Sequence, residues 1–301
     1  MNESVTMPFT FNLFEQITLG LMIVIFMFTI GTGLDLEELK KSAINKKAIV
    51  TVLFCQYGLM PFLAYLAFIS FKLPLSAFFT LIIVTSSPGG TSSNIFTYLS
   101  GGNLALSVSL SIVSTFFSLI FSPLIISLYL SFNNDFHLTI PYFNLITTFI
   151  GSLIPIILGA VLKIKYPSFA LTLDKTMKKI GLIIMIIMVV IWIPKLYNYI
   201  NKDQFLVFFS AVFICTLGIS LSMILSKAFK ISFRDAIAIG FETGIQNAPL
   251  SYAIIILSFA STHVIHQHSW LALIYGAVSV GVSLLITAGI QCVYIFKRRT
   301  V

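Results

Sequence analysis

The sequence predicts an all-α polytopic membrane protein with nine transmembrane helices. Three observations carry that expectation. Apolar runs of about 20 residues recur from end to end, each long enough to cross a bilayer as a helix. Only 9% of the 301 residues are charged and 58% are hydrophobic, whereas soluble domains carry roughly 25% charged residues. The polar turns between the runs are alternately rich and poor in lysine and arginine.

The spans fall at about 14–34, 48–71, 76–100, 104–131, 141–162, 180–196, 205–226, 236–260 and 270–296. The first holds Glu15 near its outer end, and the second carries Gln56 in an otherwise apolar stretch. The third is interrupted by Pro88-Gly89-Gly90, and the fourth presents Ser107 and Ser111 at helical spacing. The fifth and sixth are plain apolar runs flanking the basic turn 163–179. The seventh leads to Lys227, Lys230 and Arg234, the eighth is broken between Gly244 and Pro249, and the ninth ends at Lys297-Arg298-Arg299. No soluble domain or long linker interrupts the series, so residues 1–301 read as one membrane domain.

The basic turns lie on one side and hold 15 of the 18 Lys and Arg residues, leaving Lys72, Lys195 and Lys202 for the other. Cytoplasmic loops attract Lys and Arg. The N-terminus is therefore expected outside and the C-terminus in the cytoplasm, which an odd number of spans requires. The net charge of +8 is thereby explained by topology, with no need of a nucleic acid. The first basic residue is Lys40, so no basic leader segment of a signal peptide precedes the spans. Asn2-Glu3-Ser4 matches a glycosylation sequon on the outer side.

The two interrupted spans resemble each other. Thr85, Ser86, Ser87, Thr91, Ser92, Ser93 and Asn94 surround the first break, and Glu242, Thr243, Gln246 and Asn247 surround the second. Proline removes a backbone donor and crowds the preceding turn, while glycine permits unwound geometry. Unwound backbone at membrane depth is tolerated only inside protein or beside a watery cavity. The breaks lie at similar depth five spans apart, so they run in opposite directions. That pattern points to an inverted repeat with a binding site near the midplane.

Of ten acidic residues, Glu242 alone falls well inside a span. A charge there costs about 2.5–3.5 kcal/mol on insertion scales, and no Lys, Arg or His shares its depth. A proton or a metal cation is left to compensate it. Hydroxyl, amide and carbonyl oxygens suit a hard ion, and soft or imidazole ligands are lacking; Na⁺ is the expected partner, with H⁺ as the alternative.

Elsewhere plain readings suffice. Cys55, Cys215 and Cys292 are apolar fillers, and Gly101-Gly102-Asn103 is a turn. Asn133-Asn134-Asp135 is a loop, and His263, His266 and His268 are a solvated surface cluster. Taken singly, Gln56 would bond a neighbouring helix, and Ser107 and Ser111 would bond their own backbone.

With those residues in view, "SSPGGTSSN", "NLALSVSLS", "FETGIQNAP" and "QYGLMP" resemble the bile acid:sodium symporter family, in order from about residue 17 to 295. The nine-span layout is similar to that of its animal members; many bacterial members have a further N-terminal helix. The resemblance implies two inverted five-helix repeats, the first lacking one helix, with two crossing broken helices. It implies a core of about 48–131 and 205–296 and a panel of about 14–34 and 141–196.

By the same resemblance, one Na⁺ would be held by Ser93, Asn94, Ser107, Ser111 and Glu242. A second would be held by Gln56, Glu242 and Gln246, with the carbonyls of Thr243 and Ile245. An organic anion would meet Thr91 and Asn247, between core and panel. The last span reads "YGAVSVG" where bacterial relatives can carry a His-Asn pair. The implied function is Na⁺-coupled uptake of a bile acid or steroid-like conjugate, or of a small acid such as pantoate, across the plasma membrane. Two Na⁺ ions would drive it, with no cofactor and no obligatory oligomer. A channel would need rings of like groups, and an enzyme a nucleophile with its base or an open metal site; neither pattern is present in the sequence.

Overall fold

The structure is a computed structural model, and it describes residues 12–33, 45–90, 92–131, 142–199, 202–259 and 268–299. Every regular element among them is helical: α1 Leu13–Thr32, α2 Lys46–Phe71, α3 Leu75–Ser86, α4 Ser92–Leu99, α5 Leu104–Ser131, α6 Tyr142–Lys165, α7 Pro167–Tyr199, α8 Lys202–Ala228, α9 Phe233–Gly244, α10 Ala248–Ser258 and α11 Trp270–Arg299. Among the described residues, six stretches are long and apolar enough to cross a membrane, namely Leu13–Thr32, Lys46–Phe71, Leu104–Ser131, Ile146–Lys165, Phe205–Ala228 and Trp270–Tyr294. Leu75–Ser86 and Ala248–Ser258 are shorter apolar helices.

Helix starts are marked by side chains that take up the free N–H groups of a first turn. Asn12 and Glu15 form a capping box on α1, exchanging two 2.8 Å bonds. The sequence places Glu15 near the outer end of a span; in the structure it is fully buried there. Asn45 caps α2, Asn103 caps α5, Ser232 caps α9 and Asn247 caps α10.

Within α2 the backbone widens into a π turn at Cys55–Leu59. Pro61 supplies the physical cause. In a regular helix its ring would press on the carbonyl of Tyr57, four residues earlier. The wider turn relieves that contact.

The large apolar core joins side chains from α1, α2, α3, α8, α9, α10 and α11, with Phe79, Met60, Phe241 and Tyr275 wholly buried in it. A second, smaller cluster of Ala48, Val52, Leu106, Leu110, Ala238 and Ile239 binds α2, α5 and α9 together. Outward faces carry large exposed apolar residues such as Phe143, Leu285 and Phe116. A soluble surface does not sustain so much exposed apolar area; the chain is a multi-pass membrane protein.

Three sequence expectations change here. The turn 163–179 is almost entirely helix, since α6 ends at Lys165 and α7 starts at Pro167, a favourable first-turn position for proline. Asp174, expected at a loop edge, is buried on α7, where it accepts from Thr32 Oγ1 at 2.8 Å and pairs with Lys178 at 2.7 Å. His268 was expected in a solvated cluster and is instead 5% exposed, with Nδ1 2.7 Å from Ser76 Oγ. Packing beside Trp270 withdraws it from water, and burial lowers its pKa to about 4. His263 and His266 lie outside the described residues.

Candidate functional site

The two broken spans meet at their breaks. Helix α3 stops at Ser86 and α4 begins at Ser92; α9 stops at Gly244 and α10 begins at Ala248. Between them Gly89 and Gln246 form an isolated antiparallel bridge. Gly90 N donates to Ile245 O at 2.7 Å, and Asn247 N donates to Pro88 O at 3.0 Å. Each broken segment thus satisfies part of the other's freed backbone, which buried main chain requires.

Only glycine fits this approach. A Cβ on Gly89 would fall 2.1 Å from Glu242 Oε1, and one on Gly90 would fall 2.8 Å from Gln246 O.

Glu242, in the last turn of α9, is fully buried. Its Oε2 accepts from Ser93 Oγ and Ser111 Oγ, each at 2.7 Å, and its Oε1 accepts from Ser114 Oγ at 2.9 Å. All three partners are neutral hydroxyl donors, the geometry that suits an ionised carboxylate. Among the described residues no cationic side chain pairs with it. No group of three His, Cys, Asp or Glu gathers in the described residues either.

A second polar cluster lies one turn along the same chain segment. Gln56 Nε2 donates to Ser87 O at 2.6 Å and to Gln246 Oε1 at 2.7 Å, while Gln246 Nε2 reaches Thr243 O at 2.6 Å. The π turn sets Gln56 and its neighbour Tyr57 inward together, and Tyr57 OH donates to Ser114 O. The amide cluster and the serine cluster are therefore tied through α2 and α5.

The structure brings the expected residues together to different degrees. Ser93, Ser111 and Glu242 are in direct contact, as are Gln56, Gln246 and the Thr243 carbonyl. The Ile245 carbonyl sits in the backbone bridge. Ser107 stands one step back: its Oγ meets Thr97 Oγ1 at 3.2 Å and its carbonyl accepts from Ser111. Asn94 adjoins Ser93, but its Oδ1 is buried with no partner. Asn247 caps α10 through Oδ1 while its Nδ2 is buried and unpartnered. Thr91 lies outside the described residues.

Buried polar atoms are paired in the large majority of cases. Around this crossing Asn94 Oδ1, Thr243 Oγ1, Asn247 Nδ2 and Ser86 Oγ are all buried without partners. This concentration makes the crossing the candidate site.

The sequence reading names Ser87 among the hydroxyls of the first break without a ligand role, and does not include Ser114, Ser251 or Tyr275. Ser251 Oγ bonds Ser87 Oγ at 2.9 Å, and Tyr275 OH donates to Gly244 O at 3.1 Å. Ser114 was the findable one, because Ser107, Ser111 and Ser114 share one helix face at i, i+4 and i+7. Asn103, read as a turn, also ties α5 to α9: its Nδ2 donates to Asp235 Oδ1 at 2.8 Å and its N–H to Arg234 O at 3.0 Å.

Comparison with known proteins identifies the family. Residues 20–203 match the model of the Sodium Bile acid symporter family. The chain is 31% identical over 290 residues to the sodium-dependent organic anion transporter of Homo sapiens, covering 96% of this chain and 74% of that protein. It is 30% identical over 247 residues to the human ileal sodium/bile acid cotransporter, covering 80% and 69%. It is 27% identical over 291 residues to the human hepatic sodium/bile acid cotransporter, covering 94% and 81%. The chain belongs to the sodium bile acid symporter family.

Proposed function

We propose that this protein couples inward Na⁺ movement to uptake of an organic anion by alternating access at the plasma membrane. One observation carries the reading: a wholly buried carboxylate, Glu242, is held by three serine hydroxyls beside a backbone crossing. With no cationic side chain to balance it among the described residues, a small bound cation is the natural counter-charge.

In this reading Ser93, Asn94, Ser107, Ser111 and Glu242 hold one Na⁺. Gln56, Glu242 and Gln246, with the Thr243 and Ile245 carbonyls, hold the other. The unpartnered Oδ1 of Asn94 supports the first set, and the meeting of Gln56 with Gln246 supports the second. Asn247 and Thr91 face the anion, and the free Nδ2 of Asn247 is a donor suited to it. The nine spans form inverted repeats, with the breaks in α3–α4 and α9–α10 as their counterparts. Core and panel divide the single domain at about the boundaries expected from the sequence, and the N-terminus is outside.

The relatives are named for organic anions and bile acids, and a bile acid or steroid-like conjugate is the substrate class proposed here. The test is uptake of labelled taurocholate and pantoate into proteoliposomes, with and without a Na⁺ gradient. Taurocholate accumulation that requires the Na⁺ gradient is expected. Accumulation of pantoate alone would move the substrate to small acids, and uptake driven by a proton gradient in Na⁺-free buffer would overturn Na⁺ coupling.

A further inference from the structure

Away from the crossing, the structure holds a groove of about 430 Å³ between the start of α9 and the last turns of α11. It is lined by Phe233, Ile286, Gly289, Ile290, Val293 and Tyr294. Its volume falls within the roughly 300–1,000 Å³ of small-molecule sites, yet its only polar side chain is the tyrosine. Tyr294 closes one end against Phe233, edge to face at 6.5 Å. Gly289 widens the groove, since a Cβ built there meets nothing within 4 Å.

The groove sits where apolar helix gives way to basic turn. The apolar stretch of α11 ends at Tyr294, and the chain continues into Lys297, Arg298 and Arg299. The turn that leads into Phe233 carries Lys227 and Lys230, and Arg234 follows it. Arg234 is exposed and makes no ion pair with the described residues. The neighbouring Asp235 instead accepts from the Asn103 amide, and its backbone N–H donates to the capping Ser232 Oγ.

We propose that this groove is a binding site for one anionic phospholipid, with an acyl chain along α11 and the headgroup against Arg234 and the adjacent lysines. Charge complementarity selects the occupant. An apolar slot takes any acyl chain, but the basic residues that adjoin the lining residue Phe233 along the chain favour an anionic headgroup by about 1 kcal/mol each near a membrane surface. Tyr294, amphipathic and at the boundary, fits the level of the headgroup. This site is separate from the proposed Na⁺ and anion sites and does not depend on them.

Native mass spectrometry of the full chain in detergent tests it, with added phosphatidylserine, phosphatidylcholine or the soluble headgroup glycerophosphoserine. Wild-type protein is expected to retain phosphatidylserine at least about fivefold over phosphatidylcholine, the worth of one basic side chain, and to ignore glycerophosphoserine. Gly289→Leu fills the slot and should abolish retention of both lipids. Arg234→Gln, on an exposed side chain with no ion pair to lose, should lower the preference for phosphatidylserine about fivefold while acyl-chain retention persists. Equal retention of both lipids by the wild type would overturn the site. So would phosphatidylserine retention unchanged in either variant, or a headgroup that binds as well as the lipid.

Discussion

Gly31 and Gly159 let α1 and α6 cross main chain to main chain. A Cβ on Gly31 would lie 2.0 Å from Ile156 O, and one on Gly159 would lie 2.3 Å from Phe28 O. Gly89 and Gly90 allow an equally close approach at the other crossing, to Glu242 and Gln246. At the first crossing both helices run through unbroken, even with Pro155 inside α6. At the second, both partners unwind. The first meeting leaves the helical ladders intact and serves packing, as small residues do between membrane helices. The second frees backbone groups and gathers four unpartnered polar atoms. Close approach alone frees no backbone; close approach of broken helices does.

The sharpest break in that contrast is at Glu242. Replacing it with Gln keeps shape and removes charge, stripping the proposed ions of their counter-charge at about 3–5 kcal/mol. Apparent Na⁺ affinity in proteoliposome uptake should fall more than a hundredfold while the protein stays monodisperse. Wild-type Na⁺ dependence in this variant would remove the distinction between the two crossings.

A buried polar contact outside both crossings gives a reference for stability alone. His268 is held neutral by burial, with a pKa of about 4, against about 6.5 for an exposed histidine. The unfolded chain takes up the proton first, so stability is full above about pH 6.5 and is lost as pH falls towards 4. Thermal unfolding should show a loss of about 3 kcal/mol across that window, and His268→Gln should flatten it.

Ser114→Ala removes the only hydroxyl donor to Glu242 Oε1 among the described residues. A hydrogen bond to a charged group contributes about 1.5–3 kcal/mol, so apparent Na⁺ affinity should drop about tenfold or more. Uptake at saturating Na⁺ should be largely kept.

The two glycine crossings should also separate in a paired substitution. Gly31→Ala forces a methyl into the Ile156 carbonyl and should lower unfolding stability by about 1–3 kcal/mol, leaving Na⁺ dependence unchanged. Gly89→Ala pushes on the Glu242 carboxylate, so Na⁺ dependence should suffer first. If both variants lost stability alone, the second crossing would be packing like the first.

The smallest expected effects divide the second crossing itself. Asn94→Ala and Gln246→Ala should each weaken Na⁺ affinity severalfold, about 1 kcal/mol, and lower the Hill coefficient towards one. Unchanged Hill coefficients in both would refute two separate ions.

What the sequence made legible follows the same contrast. The second crossing is written in local composition: Pro88-Gly89-Gly90 among hydroxyls, and Glu242 as a lone carboxylate in an apolar run. Proline by itself carries less information, for Pro123, Pro155 and Pro194 all sit inside continuous helices. The Gly31–Gly159 meeting was illegible, because it depends on which helices become neighbours. Ser114 was overlooked although its spacing from Ser111 was visible; what it touches lies 128 residues away. His268 was misplaced because burial depends on Ser76 and Trp270 packing around it, and hydropathy does not register that. The start of α7 was missed because lysines read as turn, while a helix carrying Asp174 and Lys178 at i, i+4 accommodates them.

The π turn of α2 has a consequence for the arithmetic of the chain. An α-helix advances about 100° per residue, so one surplus residue in a single turn shifts the phase of everything after it by about that angle. Lys46–Phe54 and Met60–Phe71 are thus two helical segments with separate phases, joined without a loop. The first presents Ala48 and Val52 to the small cluster with α5 and α9; the second presents Met60, Leu63 and Ala67 to the large core. Gln56 stands at the slip between the two settings. Deleting one residue there would remove the phase shift and turn one segment's inward face away from its cluster. The extra residue works as a gear tooth, meshing one helix with two differently oriented halves of the protein.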